Sequence, residues 1–308
     1  MITAQIKSLV VNSYHKYKNL NEGSPAQYIP ELAKVNPDIF GITLVSCDGD
    51  VFSIGDSKNK FTLQSASKPF VYSLALIQNG IQSVHTKVGV EPTGEAFNSI
   101  IELEEKHHRP FNPMINSGAI ATTGLISGIT PQEKLGLLRK FFSQLTNEEC
   151  EVNFEVFMSE KSTAHRNRAI AHLMKHFSVM DSDIDETLDL YFQQCSLNAT
   201  VEGLAQAAAT LANKGTHPIT KTEIIPPEFV TKTLSLMFTC GMYDSAGEWA
   251  FNIGVPAKSG VSGALFAVVP GHFGIAIHSP RIDEHGHSIR GQKVLQDLAT
   301  QTNIHILG

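Results

Sequence analysis

The segment QSASKPFVYSLALI occupies residues 64–77 and combines two serines and a lysine with a long apolar run. On a helix, residues three apart are neighbours, whereas adjacent residues point about 100° away from each other. Ser65 therefore shares a helix face with Lys68, and Ser67 does not. The segment predicts a helix whose first turn carries a Ser-Lys pair.

Two interpretations of this pair follow from the residues alone. In the first, the free N–H groups of the helix start suit an oxyanion near Ser65. Burial and the positive helix end would then lower the pKa of Lys68, so that its neutral amine removes the Ser65 proton. In the second, Ser67 caps an ordinary helix and Lys68 is a surface residue. Pro69 fits a first turn but disfavours regular helical geometry at Lys68, which predicts a tight or distorted turn.

Two further stretches favour the catalytic interpretation. Lys258-Ser259-Gly260 lies just before the first C-terminal strand, and a Lys-Ser/Thr-Gly strand accompanies Ser-x-x-Lys in penicillin-recognising enzymes. Alone it would be a polar turn with a glycine, but two such motifs in this order favour an active site. Tyr243, in CGMYD, is either a core residue or a phenol that relays protons near the serine.

The order of the elements predicts the fold. A helix over 2–18 precedes a hairpin, 40–47 and 51–54, with Asp48-Gly49 at its turn. The Ser-Lys helix follows and is expected to end at Asn79-Gly80. The chain is then mostly helical to about residue 250. Strands 262–269 and 273–277 form a second hairpin around 270–272, and a final helix covers about 288–302.

These elements predict an α/β (α+β) fold in which the two hairpins form one antiparallel sheet flanked by helices. The first and last helices would cover one face, and the middle block would cover the other face and extend as an all-helical lobe. We expect one domain over 1–308, with an α/β part of about 1–65 and 255–308 and a helical lobe of about 66–254. A cleft between them is the natural place for a site.

Composition and residue spacing argue against several classes of function. The 308 residues are 42% apolar and 18% charged, with a net charge of -6 and no basic stripe, which argues against a nucleic-acid partner. The spacing of the four cysteines and of the histidine and aspartate clusters matches no metal motif, so no metal site is expected. No apolar run is long enough to span a membrane, and the N-terminus resembles no signal peptide. We expect a cytoplasmic protein.

From about Tyr28 to Pro280 the chain resembles the serine-dependent glutaminases of the bacterial type. The resemblance rests on YIPELAKVNPDIFG, LQSASKPF, VGVEPTGEAFN, FNPMINSGAI, the segment Glu160…Arg166-Asn167-x-Ala169-Ile170, YFQQCS, TLANKG, CGMYDSAGEWAF and PAKSGVSG. It implies a fold like that of the serine β-lactamases and DD-peptidases. It also implies hydrolysis of L-glutamine to L-glutamate and ammonia without a cofactor, with a homodimer or homotetramer expected by analogy.

The resemblance also implies roles for individual residues. Ser65 matches the nucleophile, Lys68 its base and Tyr243 the tyrosine that shares in proton transfer. The N–H groups of Ser65 and Val261 would form the oxyanion hole. The remaining substrate-binding candidates are Tyr28, Gln64, Asn116, Glu160, Asn167 and Tyr191.

Glu160 is the only carboxylate among the positions that would bind the α-amino and α-carboxylate groups of the substrate. We therefore expect it to bind the substrate ammonium group.

Two other functions share some of these features. A β-lactamase or DD-peptidase would also carry Ser-x-x-Lys and Lys-Ser-Gly, although the lack of an export signal argues against one. A catalytically inactive binding protein on the same fold is the second alternative. Selectivity for glutamine over asparagine is also open, because one methylene gives only about 10- to 200-fold discrimination.

Overall fold

The computed structural model describes residues 2–105 and 108–307. The strands are β1 Gly41–Ser46, β2 Val51–Gly55, β3 Phe61–Thr62, β4 Asn198–Ala199, β5 Ala257–Gly260, β6 Ala264–Val269 and β7 Phe273–His278. The helices are α1 Ala4–Tyr17, α2 Lys68–Lys87, α3 Ile101–Glu105, α4 Asn116–Thr123, α5 Pro131–Thr146, α6 Phe154–Thr163, α7 His165–His176, α8 Ile184–Cys195, α9 Val201–Ala212, α10 Pro227–Cys240, α11 Ala246–Asn252 and α12 Ile289–Gln301. Short 3₁₀ turns occupy Leu32–Lys34, Gln64–Ser67 and Tyr243–Ser245.

The central sheet has five strands in the order β2-β1-β7-β6-β5, and every neighbouring pair is antiparallel. The N-terminal and C-terminal hairpins meet where β1 pairs with β7, with Ile42 opposite Ile277. The predicted joining of the two hairpins into one antiparallel sheet is confirmed. Strands β1, β6 and β7 are buried along their whole length, as expected for strands covered on both faces.

Each face of the sheet has its own hydrophobic core. On one face, Leu44 and Ile275 pack with Val10 of α1 and Leu298 of α12. On the other face, the alternate positions Val45, Phe266 and Ala276 belong to a larger core with α2 and α9. The predicted layering, with the first and last helices on one face, is therefore confirmed.

The regular helix that begins at Lys68 ends at Asn79-Gly80, as expected: Gly80 has a φ of 74° and a ψ of 160°, and a second helical segment of α2 continues to Lys87. That backbone conformation is essentially restricted to glycine, so Gly80 marks a kink. Two details differ from the sequence-based expectation. Lys258-Ser259-Gly260 lies within strand β5, at the edge of the sheet, and not before the first C-terminal strand. The two-residue strands β3 and β4 pair with each other and were not predicted.

In the described part of the chain, no helix is long and apolar enough to cross a membrane.

Candidate active site

The turn that carries Ser65 is distorted, as Pro69 predicts. Residues Gln64–Ser67 form a 3₁₀ turn, and the α-helix begins only at Lys68. Gln64 has a φ of 48°, in the left-handed region that non-glycine residues rarely adopt. Such a conformation costs about 1–3 kcal/mol, and residues that adopt it cluster at functional sites.

Ser67 has a structural role in this turn. Its hydroxyl donates to the Gln64 carbonyl oxygen at 2.7 Å and accepts from the Gln194 side chain at 3.1 Å. The side chain is fully buried, so these two bonds satisfy a hydroxyl that water cannot reach. Ser67 lies at the N-cap of α2, but its side chain makes no capping hydrogen bond and instead supports the turn.

Strand β5 packs directly against the turn that carries Ser65. A Cβ atom on Gly260 would lie 2.8 Å from the Leu63 carbonyl oxygen and 3.2 Å from the Ala66 amide nitrogen. Only glycine allows this approach of two backbones. The close packing brings Val261, the residue after β5, to the same cavity as Ser65.

A cavity of about 190 Å³ opens over this turn. Its walls include every residue that the sequence predicts to bind substrate, apart from Tyr243: Tyr28, Gln64, Ser65, Asn116, Glu160, Asn167, Tyr191 and Val261. These residues come from separate elements along more than 200 positions of the chain, and the fold brings them together. Tyr28 is 55% exposed, so this residue lies where the cavity opens to solvent.

Lys68 is buried beside this cavity and is not a surface lysine. Its Nζ donates to Asn116 Oδ1 at 2.6 Å and to the Tyr243 hydroxyl at 3.5 Å. Burial lowers the pKa of Lys68 to about 8, although the nearby Cys195 and Glu160 oppose that shift. The neutral amine is therefore accessible near physiological pH. The alternative in which Lys68 is solvent-exposed is wrong.

Tyr243 lies between the two lysines of the site. Lys258 Nζ lies 3.9 Å from the centre of its ring. Burial raises the pKa of Tyr243, so the phenol keeps its proton, and the nearby Ser65 side chain opposes that rise. Tyr243 also has a left-handed φ of 55°. Because the phenol lies near both Ser65 and Lys68, it can pass a proton between them.

Glu160 provides the negative charge of the cavity. Its carboxylate is buried and lies 3.4 Å from Gln64 Nε2. Burial raises the pKa of Glu160 to about 7, while the Gln64 hydrogen bond and Lys68 oppose that shift. A buried carboxylate of this kind gains stability when a cation binds beside it.

Asn116 links the lysine to the rest of the cavity wall. Its Nδ2 donates to Asn167 Oδ1 at 3.0 Å, and Tyr191 donates to Asn116 Oδ1 at 3.4 Å. The oxygen of Asn116 thus accepts from both Lys68 and Tyr191. This network fixes the orientation of neutral donors that could bind a substrate carboxylate.

Sequence reasoning missed some residues of the site. Lys258 lies in a motif that the sequence singled out, but its contact with Tyr243 could not be foreseen. Burial and Lys68 hold the pKa of Lys258 well below its usual range. Cys195 also lines the cavity, and its position four residues after Tyr191 on α8 is a signal that could have found it.

The described residues contain no group of three histidine, cysteine, aspartate or glutamate side chains that could hold a metal ion.

Comparison with known proteins agrees with the resemblance seen in the sequence. The model of the family described as "Glutaminase" matches residues 23–307. The chain is 52% identical over 298 residues to the "Glutaminase" of Trichormus variabilis, covering 96% of this chain and 89% of that protein. It is 44% identical over 308 residues to the "Glutaminase" of Clostridium tetani, covering 99% and 100%.

The chain belongs to the glutaminase family.

Solved structures of related proteins have the same fold as this family member. A structure titled "Probable glutaminase ybaS" superposes with a TM-score of 0.96 at 39% identity, over 99% of both chains. A structure of Mglu "in its tris and glutamate form" superposes with a TM-score of 0.94 at 37% identity, over 99% of this chain and 68% of that one. The sequence-based assignment to the glutaminases is confirmed.

For this glutaminase-family chain, we expect Gly260→Ala to reduce glutamine hydrolysis about 100-fold. The added methyl group must displace the backbone that carries Ser65, and a misplacement of about 1 Å can cost that much in rate. Gly247→Ala is the matched control, because Gly247 is exposed on α11 and its added Cβ meets no atom within 4 Å. Ammonia release from folded protein is the measurement. Equal rates for the two variants would contradict the prediction.

Proposed function

We propose that this chain hydrolyses L-glutamine to L-glutamate and ammonia through a γ-glutamyl ester on Ser65. Hydrolysis of glutamine to glutamate is the activity of the family to which the chain belongs. The observation that carries the proposal is the buried Lys68, which lies three residues from Ser65 and has its pKa lowered to about 8. A related structure is in a glutamate form, which supports a cavity that accepts this product.

The first half of the reaction forms the ester. The Ser65 oxygen attacks the side-chain amide carbon of glutamine, and neutral Lys68 takes the hydroxyl proton. The N–H groups of Ser65 and Val261 stabilise the oxyanion that forms. When the carbon–nitrogen bond breaks, Lys68 and Tyr243 deliver a proton to the leaving nitrogen, which departs as ammonia.

In the second half, water hydrolyses the ester and the protons move between the same groups in the opposite direction. A water molecule attacks the ester carbon and gives a proton to the amine of Lys68, either directly or through the Tyr243 phenol. The carbon–oxygen bond to Ser65 then breaks, and the serine oxygen regains its proton. Glutamate is released and Lys68 is neutral again. The proton taken from Ser65 in the first half leaves with ammonia, and the attacking water supplies the proton that restores the Ser65 hydroxyl in the second.

Substrate selection follows from the charges of the cavity. Glu160 would bind the α-ammonium group, while Asn116, Asn167 and Tyr191 would orient the α-carboxylate. Gln64 holds the Glu160 carboxylate by its side-chain amide, and Tyr28 stands at the entrance. A homodimer or homotetramer and a cytoplasmic location stay predictions.

We propose further that the fold is of the serine β-lactamase and DD-peptidase type and forms one catalytic domain over 1–308. Ser-x-x-Lys at the start of α2 beside Lys-Ser-Gly on edge strand β5 supports this fold type. The single domain is supported by a site that draws on both ends and the middle of the chain. Membership of the glutaminase family favours glutamine over a β-lactam as substrate.

We expect Ser65→Ala to lower ammonia release from glutamine by at least about 1,000-fold, because loss of a serine nucleophile removes the covalent route. Ser67→Ala is the matched control, because Ser67 is adjacent to Lys68 in sequence but does not share its helix face. It should lose less than about tenfold in rate and about 1–3 kcal/mol in free energy of unfolding, because Gln194 loses its acceptor. A folded Ser65→Ala protein that released ammonia at the wild-type rate would contradict the proposed mechanism.

We expect kcat/KM to rise with pH through about 8, because the base must be neutral Lys68 and its pKa is about 8. Below about 7, protonation of Glu160 should reduce kcat/KM further, since the neutral acid no longer attracts the substrate ammonium group. Initial rates at low glutamine concentration across this pH range test both effects. A profile that falls between pH 7 and 8 would contradict the assignment of Lys68 as the base.

Glu160→Gln should weaken selection for a free α-amino group, so that discrimination between L-glutamine and N-acetyl-L-glutamine falls. It should also move the Lys68-dependent rise in kcat/KM to lower pH, because the Glu160 charge helps to raise the pKa of that lysine. Glu155→Gln is the matched control, an exposed glutamate on the same helix. Unchanged discrimination in the Glu160 variant would count against its proposed role.

A further inference from the structure

The loop between β7 and α12, residues 279–288, contacts the proposed active site from outside its cavity. None of the loop residues lines that cavity. A Cβ atom on Gly286 would lie 3.2 Å from Cγ1 of Val261, the proposed oxyanion-hole residue. His285 Nδ1 lies 3.1 Å from Asp244 Oδ2, in the 3₁₀ turn that also carries the proposed proton relay. The loop therefore supports two separate segments of the site.

His287 connects this loop to two more residues of the site. Its Nδ1 lies 2.7 Å from Ser259 Oγ on β5, and its ring stacks on the Tyr243 ring, with centroids 6.0 Å apart and planes 16° from parallel. Offset aromatic stacking covers centroid distances of about 4.5–7 Å. Lys258, whose Nζ lies over the Tyr243 ring, donates to the Ser259 carbonyl oxygen at 2.8 Å. His287 thus links the Tyr243 ring to the strand that carries Lys258.

The His287 ring is itself held in one orientation. The side chain is 1% exposed, its backbone N–H donates to Asp283 Oδ1 at 2.9 Å, and its carbonyl oxygen accepts from the Asp283 N–H at 3.0 Å. The second carboxylate oxygen of Asp283 accepts from Gln292 of α12 at 2.7 Å. Burial lowers the pKa of His287 well below its usual range, although Asp283 opposes that shift. The ring is therefore neutral and adds no positive charge beside Lys258.

Tyr243 requires support from its neighbours because of its own backbone. Its left-handed φ of 55° is a conformation that costs about 1–3 kcal/mol and persists only where the surrounding structure enforces it. Phe97 also packs on the phenol ring, with centroids 5.2 Å apart. The phenol oxygen lies 3.5 Å from Lys68 Nζ, at the outer limit of a hydrogen bond. A small tilt of the ring would therefore break the path for the proton.

We propose that His287 is a positioning residue that orients the Tyr243 phenol for proton delivery to the leaving nitrogen. Its ring supports the phenol ring, and the bond between Nδ1 and Ser259 fixes that ring in place. This inference rests on the proposed function, because it concerns the proton that Tyr243 delivers. His287 does not line the active-site cavity, so loss of its ring should impair the departure of ammonia more than the binding of glutamine.

The test compares L-glutamine with the γ-methyl ester of L-glutamate. Both form the same ester on Ser65, so the ratio of their kcat/KM values reports the departure of the leaving group. An amide nitrogen must be protonated to leave, whereas an alcohol depends less on an acid. His287→Asn keeps a polar group near the position of Nδ1 but removes the ring. It should lower kcat/KM about 100-fold for glutamine and less than about tenfold for the ester, with KM for glutamine within about threefold of wild type.

Two further variants separate orientation of the phenol from folding. His287→Phe keeps an aromatic ring beside Tyr243 and should lose less than about tenfold in kcat/KM for glutamine. His217→Asn is the matched control, since His217 is also fully buried and its Nδ1 accepts from the N–H groups of Ile219 and Thr220 at 3.2 and 3.1 Å. This control should lower the melting temperature without changing the ratio between the two substrates.

The outcomes distinguish this role from a structural one. If His287→Asn slows both substrates equally, His287 serves only folding and the proposal is wrong. The proposal is also wrong if His287→Phe hydrolyses glutamine as slowly as His287→Asn, or if His217→Asn changes the substrate ratio as much. A wild-type protein that hydrolyses neither substrate would contradict the proposed function itself, and with it this role of His287.

Discussion

The amine of Lys68 is held in the interior of the protein, and the arrangement of the site depends on that burial. A charged ammonium group is costly away from water, so burial shifts the amine toward its neutral form. The Asn116 oxygen and the Tyr243 phenol give this amine two hydrogen-bond partners without adding a full negative charge. A carboxylate in direct contact would have kept the lysine charged and unsuited to act as a base. Glu160 is near enough to oppose the pKa shift but does not cancel it.

The central sheet positions the backbone segments that surround the Lys68 amine. Because β1 pairs with β7, the two ends of the chain form one sheet, and edge strand β5 is brought against the turn before α2. Gly260 allows the close approach, and Phe70 of α2 stacks on Phe266 of β6 at 5.3 Å. The turn that carries Ser65 and Lys68 is thus supported both by the hydrophobic core and by strand β5. Rigid support of this kind is what positioned catalytic groups require.

Some of the stability gained in the core is lost again at the site. Gln64 and Tyr243 both adopt left-handed backbone conformations, and Lys68, Lys258 and Glu160 are all buried ionisable side chains. Each of these features is unfavourable by itself. They occur together around Ser65, where the proposed chemistry needs a neutral base and an unsolvated carboxylate. Their concentration in one place is typical of a functional site.

The sequence by itself determined the features that depend on neighbouring residues. The pairing of Ser65 with Lys68 follows from helix geometry, the tight turn follows from Pro69, and the two hairpins follow from their turn residues. The family motifs identified the residues of the cavity wall. The tertiary structure alone decided the burial that lowers the pKa of Lys68 and the contact between Lys258 and Tyr243. These features depend on which distant residues pack together, because desolvation and hydrogen bonding are set by neighbours in space and not along the chain.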